Sequence, residues 1–159
     1  MTAPATAPRT RVLGAALAAA ALVAAAGCGA AASTASGPRI KVSGAFVRMP
    51  ASPAVTAGYL TIRNDGDRAD RLTAVSTPAA KMVQIHRMTK TDHGMTMRRM
   101  KYLRIPAHKT VRLKPGAIHL MIMHPHGLRA GHPVRLTLTF ATSGKVTTTA
   151  KTTKPGATG

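Results

Sequence analysis

The chain has 159 residues, with 23 Lys and Arg against four acids and a formal charge of +19, and this length allows one domain. Its single cysteine excludes both an intrachain disulfide framework and a cluster of thiolate ligands. So basic a cytoplasmic protein would point to nucleic acid. Here an export signal argues against it, and only Phe46, Tyr59, Tyr102 and Phe140 are available to stack on bases.

Arg9 and Arg11 precede an apolar run from Val12 to Ala26, the charged and hydrophobic parts of a secretory signal. As a helix this run rises about 22 Å, short of a hydrocarbon core about 30 Å thick, so it reads as a signal and not a span. Cys28 follows Ala25-Ala26-Gly27, which resembles a bacterial lipoprotein signal, although such signals more often carry Leu where Ala25 stands. The expectation is a signal peptide over residues 1–28 with Cys28 acylated. The domain would then be lipid-anchored at the outer face of the cell membrane; ordinary cleavage nearby would instead leave a free thiol. Residues 29–38, small and polar, read as a flexible tether.

Without Arg9 and Arg11, 21 basic residues face Asp65, Asp67, Asp70 and Asp92, a charge of +17. This reads either as a solvated surface held near anionic lipid or wall polymer, or as one that steers the domain toward an acidic protein partner.

From Arg39 the chain is a series of short β-type runs between turn residues, with no convincing helical period, the pattern of an antiparallel sandwich or barrel. Ile40–Val47 comes first; Pro50, Pro53 and Gly58 precede Tyr59–Arg63, and Asn64-Asp65-Gly66-Asp67 is a strong turn. Arg71–Ser76, Met82–Met88, Met95–Met97, Tyr102–Ile105, Thr110–Leu113, Ile118–Met123, Val134–Phe140 and Val146–Ala150 follow. The expected core is aliphatic: Val42, Val47, Leu60, Ile62, Leu72, Val83, Ile85, Leu103, Ile105, Val111, Leu113, Leu120, Ile122, Leu136, Leu138 and Phe140. The folded domain is expected over residues 39–150, and residues 151–159 as a disordered tail.

Seven of the nine methionines and four of the seven histidines lie between Met82 and Met123. Four of them follow the spacing His86-x10-Met97-x21-His119-x-Met121. Strand alternation separates these residues from the core. Val83 and Ile85 point one way while His86 and Met88 share the other face; Leu120 and Ile122 likewise oppose His119, Met121 and Met123, and Met95 shares a face with Met97. Thioether sulfur is neutral and soft, suited to Cu(I) and poor for Zn²⁺, Mg²⁺ or Ca²⁺. A blue-copper site needs a cysteine that the domain lacks. The candidate ligands for Cu(I) are therefore His86, Met97, His119 and Met121, with Met88, Met95 and Met123 as auxiliary candidates.

This spacing resembles that of the periplasmic Cu(A) copper chaperone family (PCu(A)C type). The flanks agree: Gly94-Met95-Thr96-Met97-Arg98, Ile105-Pro106-Ala107, Val111-Arg112-Leu113-Lys114-Pro115-Gly116 and Leu136-Thr137-Leu138-Thr139-Phe140. The resemblance covers roughly Ile40 to Ala150. It implies a cupredoxin-like Greek-key β-sandwich that binds Cu(I) through the four named residues and supplies copper to the Cu(A) site of cytochrome c oxidase subunit II or to other exported copper proteins. A monomer is expected, and with four acids in or beside turns and no Cys nucleophile in the domain an enzyme is not.

Two departures stand out. Arg87-Met88 stands where an acidic residue commonly follows the first His, and His108, His124 and His126 occupy turns where the family more often has Gly or Lys. His124-Pro125-His126 is a candidate weak Cu(II) site, against a reading as exposed loop histidines. The competing function is a β-sandwich adhesion or assembly module whose methionines merely pack.

Overall fold

The structure, a computed structural model, describes residues 36–92 and 94–155. The expected signal, Cys28 and the tether before Ser36 lie outside them. The described residues form ten strands: β1 (Ile40–Arg48), β2 (Val55–Asn64), β3 (Asp70–Ser76), β4 (Ala80–Thr91), β5 (Gly94–Met100), β6 (Leu103–Ile105), β7 (Thr110–Leu113), β8 (Ile118–Pro125), β9 (Pro133–Phe140) and β10 (Gly144–Thr153).

One hydrogen-bonded path runs β5-β4-β8-β2-β1-β10-β9-β3-β6, with β7 joined to β2. The path folds over so that β3 packs on β4, giving an all-β, cupredoxin-like Greek-key sandwich. β2 is the branch point. Its first half, Val55 to Gly58, pairs with β8, and Leu60 to Arg63 pair with β7. Leu60, Ile62, Leu72, Ile105, Leu120, Ile122, Leu136 and Leu138 are fully buried between the layers, as the alternation of each strand requires.

Two bulges break that alternation. Between Ser43 and Phe46 the β1 register shifts where Gly44 has φ +58°, a left-handed conformation that glycine adopts without strain. A second shift, between Leu72 and Ala74, lets both Leu72 and Val75 face the core despite their odd spacing.

β10 departs from the expected antiparallel pattern. It pairs with β9 antiparallel and with β1 in parallel, Phe46 facing Lys151 and Arg48 facing Thr153. Lys151 to Thr153 are therefore strand, where a disordered tail was expected, and Thr152 is buried with its hydroxyl donating to the His132 carbonyl at 2.7 Å.

The end of the tether is also packed. The Ser36 N–H donates to Asp67 Oδ2 at 3.0 Å, and a Cβ on Gly66 would lie 2.1 Å from the Gly37 carbonyl oxygen, so only glycine admits this approach. Buried Asn64 fixes the same turn. Its Oδ1 accepts from the Arg39 and Gly66 N–H groups, each at 3.0 Å, and its amide donates to the Arg68 carbonyl at 2.7 Å.

Asp70, 2% exposed, is the one acid of the core. Burial alone would raise its pKa, but the Ser143 hydroxyl at 2.6 Å and the Arg71, Ser143 and Thr142 N–H groups all donate to the carboxylate and hold it below the usual range. Because the folded pKa is the lower one, the stabilisation is complete above the unfolded value near 3.9 and is lost as pH falls below it. Asp70→Asn turns an amide N–H₂ toward donors already in place and should cost about 2–3 kcal/mol in urea unfolding, whereas exposed Asp67→Asn should cost far less. The Asp70→Asn protein should also lose less stability than wild type between pH 5 and pH 2.5, and an equal acid sensitivity in the two proteins would overturn this account.

Candidate metal site

The site is assembled by the register of two antiparallel pairs. β4 and β8 align His86 with His119, Gln84 with Met121 and Met82 with Met123. β4 and β5 align Met88 with Met97 and His86 with Arg99. The intervening rungs, Ile85 with Leu120 and Val83 with Ile122, point into the core. The ligand face is thus the outer face of the same ladder, as alternation predicts.

Met88, Met97, His119 and Met121 line one open cleft of about 370 Å³, closed around by Val55 to Ala57 of β2, the Pro115-Gly116 turn, Tyr59 and Arg48. The Arg48 guanidinium sits over the Tyr59 ring, 5.1 Å from its centroid. His86 stands beside the cleft, its ring centroid 6.0 Å from that of His119. His119 is buried, while Met97, on the edge strand β5, is 43% exposed. The structure therefore brings Met97, His119 and Met121 into one cleft with auxiliary candidate Met88, and sets His86 against His119. Met95 and Met123 do not line the cleft. Met95 faces Lys90 near the β4–β5 turn, and Met123 faces Met82.

His124 has φ +50° at the end of β8 and His108 φ +54°, conformations in which glycine is the usual residue. At His124-Pro125-His126, the His126 Nδ1 lies 3.3 Å from the His124 carbonyl. Among the described residues no three His, Cys, Asp or Glu side chains are grouped to hold a metal ion. A set of three or more side-chain donors drawn from the described residues at the cleft therefore includes sulfur.

Hydrogen bonds fix the form of both imidazoles. Gln84 Nε2 lies 3.0 Å from the Met82 sulfur, and Gln84 Oε1 lies 2.8 Å from His86 Nε2. Thioether sulfur only accepts, so the amide N–H₂ faces Met82, the amide oxygen faces His86, and His86 carries its proton on Nε2. His86 Nδ1 keeps its lone pair, buried and with no hydrogen-bond partner. Likewise His119 Nδ1 lies 3.3 Å from the Ala117 carbonyl, which leaves Nε2 as the free donor atom. Burial, and then the neighbouring His119 and Arg99, lower the His86 pKa, so its imidazole is neutral at pH 7. The donors fit a soft monovalent cation.

Gln84 is the residue that sequence reasoning missed. Its only signal was parity, two residues before His86 on the ligand face. Orienting a metal-binding imidazole through its other nitrogen is the usual work of such a neighbour. Gln84→Leu should release His86 to a mixture of tautomers, read from imidazole ¹⁵N shifts, with the His119 signals unchanged. A single Nε2–H tautomer surviving in that variant would count against the role.

A family profile described as "Putative lipoprotein LpqE-like" matches residues 40–152. A protein of Leifsonia xyli subsp. xyli named "Putative lipoprotein Lxx21020" is 32% identical over 104 residues, 64% of this chain; the chain spans 62% of that relative's length. Among solved structures, the copper-bound PCuAC domain from PmoF2 is similar with a TM-score of 0.64 and 25% identity, over 73% of this chain and 93% of that domain. The Cu(I) form of DR1885 from Deinococcus radiodurans is similar with a TM-score of 0.55 and 29% identity, over 81% of this chain and 85% of that one. The fold is thus the PCuAC type, and with its profile spanning the sandwich from β1 into β10, this chain belongs to the LpqE-like family.

Proposed function

We propose that this protein is an exported copper carrier, not an enzyme, that binds one Cu(I) through His86, Met97, His119 and Met121 and hands it to a copper-accepting protein. The observation that carries this is the pair of facing imidazoles, each with one nitrogen lone pair left free by its hydrogen bonds, beside a cleft lined by thioethers. Copper-bound relatives of the same fold support it. The Cu(A) centre of cytochrome c oxidase subunit II is the proposed acceptor. Cys28, acylated, would anchor the domain to the outer face of the membrane, in keeping with a relative named a lipoprotein.

The four ligands are neutral, so the bound site would carry the single charge of the cuprous ion. Affinity then rests on soft donor bonding and not on charge neutralisation. None of the four ligands is a thiol that oxidation outside the cytoplasm could remove.

Anaerobic titration of the domain with Cu(I), or with Ag(I) in its place, should give one tight equivalent and little uptake of Zn²⁺. At 100 times its dissociation constant the ion should stabilise the fold by about 2.7 kcal/mol. Met97→Ala with Met121→Ala should abolish both effects while leaving the metal-free melting temperature nearly unchanged, since neither side chain belongs to the buried core; tight binding in that double variant would sink the proposal. Protonation removes the His86 donor, so acid must oppose uptake. Because the His86 pKa is lowered, the loss of uptake caused by His86 should set in only below the ordinary imidazole value near 6.5. Arg99→Gln removes one cause of the lowering and should move that fall to higher pH, measured by competition with a chromophoric Cu(I) chelator.

A further inference from the structure

The thioether pair of Met82 and Met123 is not explained by the four-ligand site. We propose that these two residues form an outer soft-metal site that receives Cu(I) first and passes it inward through Met121. The proposal rests on the copper-carrier reading above and adds a route to it.

Met82 and Met123 face each other across the β4–β8 ladder, where Cβ atoms of opposed residues lie about 5 Å apart. They share the ligand face and not the core face, since Val83 and Ile122, their neighbours, are the inward pair. Met82 is 51% exposed, which a gap-filling role in the core would not allow. Its sulfur is turned along the strand toward the inner ligands, because it accepts the Gln84 amide N–H at 3.0 Å. The next rung inward holds Gln84 and Met121. Successive rungs on one face are about 7 Å apart, a gap that flexible methionine side chains can close from both sides.

Sulfur and imidazole donors thus continue along one face from the exposed end of the ladder to the cleft. The transfer is a ligand exchange. The bonds from copper to the Met82 and Met123 sulfurs break as bonds to Met97, Met121 and the two imidazoles form. Copper stays cuprous throughout, and no proton or electron moves because every ligand is neutral. Two thioethers, one exposed and one partly buried, bind a Cu(I) ion more weakly than two thioethers and two imidazoles, so the exchange runs inward.

The test separates rate from affinity. Cu(I) supplied as its bicinchoninate complex, whose absorbance falls as copper leaves, should load Met123→Leu, which leaves the Met82–Gln84–His86 contacts in place, several times more slowly than wild type, with the equilibrium affinity unchanged. Equal loading rates would overturn the proposal. So would an affinity that falls in step with the rate, since the two sulfurs would then belong to the resident site. Met123→Gln, at a position only partly buried, keeps the measurement available if Met123→Leu is poorly folded. In His86→Ala/His119→Ala protein, Ag(I) should still shift the Met82 and Met123 methyl resonances, and unmoved resonances would refute the outer site. Wild-type protein that took up no Cu(I) would remove the parent reading as well, a result distinct from normal uptake with unaltered kinetics in the variants.

Discussion

The register between β4 and β8 is the constraint on which the rest depends. Sliding one strand by a single residue would turn His86 and Met88 into the core and expose Val83 and Ile85. Ile85, Leu120 and Ile122 are each less than 5% exposed, so burial of these three enforces the alignment that sets His86 against His119. The hydrophobic core and the donor set are two faces of one ladder, and the stability of the first positions the second. It also keeps them separate: the methionines proposed as ligands are not part of the buried core.

Electrostatics acts in the opposite sense from most metal sites. Asp65 pairs with Lys41 and Arg63, Asp67 with His108, and Asp70 is buried against the Thr142 and Ser143 turn. Those three acids are thus engaged at the loops around β2 and β3, while Arg99 stands opposite His86 and Arg48 lines the cleft. Among the described residues no carboxylate lines the cleft that a cation would enter. Hard divalent ions, which need anionic oxygen ligands, gain nothing there; a soft cation bonded by sulfur and nitrogen tolerates it. Burial first, and then the neighbouring His119 and Arg99, lower the His86 pKa, so the surroundings that disfavour a bound proton leave the imidazole neutral.

Much of the fold could be read from the sequence because alternation is strict wherever a strand is regular. β7 begins and ends as expected, and the segregation of His86, Met88, His119 and Met121 from Ile85, Leu120 and Ile122 follows from spacing alone. What could not be read were the places where backbone geometry overrides spacing. The bulge between Leu72 and Ala74 turns Val75 inward. Parallel pairing with β1 orders Lys151 to Thr153, which look like a polar tail because their partner is a hundred residues away in the chain. Gln84 escaped notice for another reason. Its role depends on the two atoms its amide reaches, Met82 sulfur and His86 Nε2, and side-chain contacts of that kind have no periodic signal.

A carrier must hold its ion and also let it go, and the four proposed ligands are unequal in a way that serves both. His86, His119 and Met121 stand on β4 and β8, strands paired on both sides. Met97 stands on β5, the edge strand, whose residues are almost all exposed. An edge strand gains ladder hydrogen bonds on one side only, so the Met97 thioether is the donor whose displacement disturbs the least structure. An acceptor's sulfur or nitrogen can approach from that side and replace Met97 while the two imidazoles still hold the ion. Copper would then be shared between the two proteins during exchange and never released to solvent, which a fully enclosed site on interior strands could not achieve without opening the sandwich.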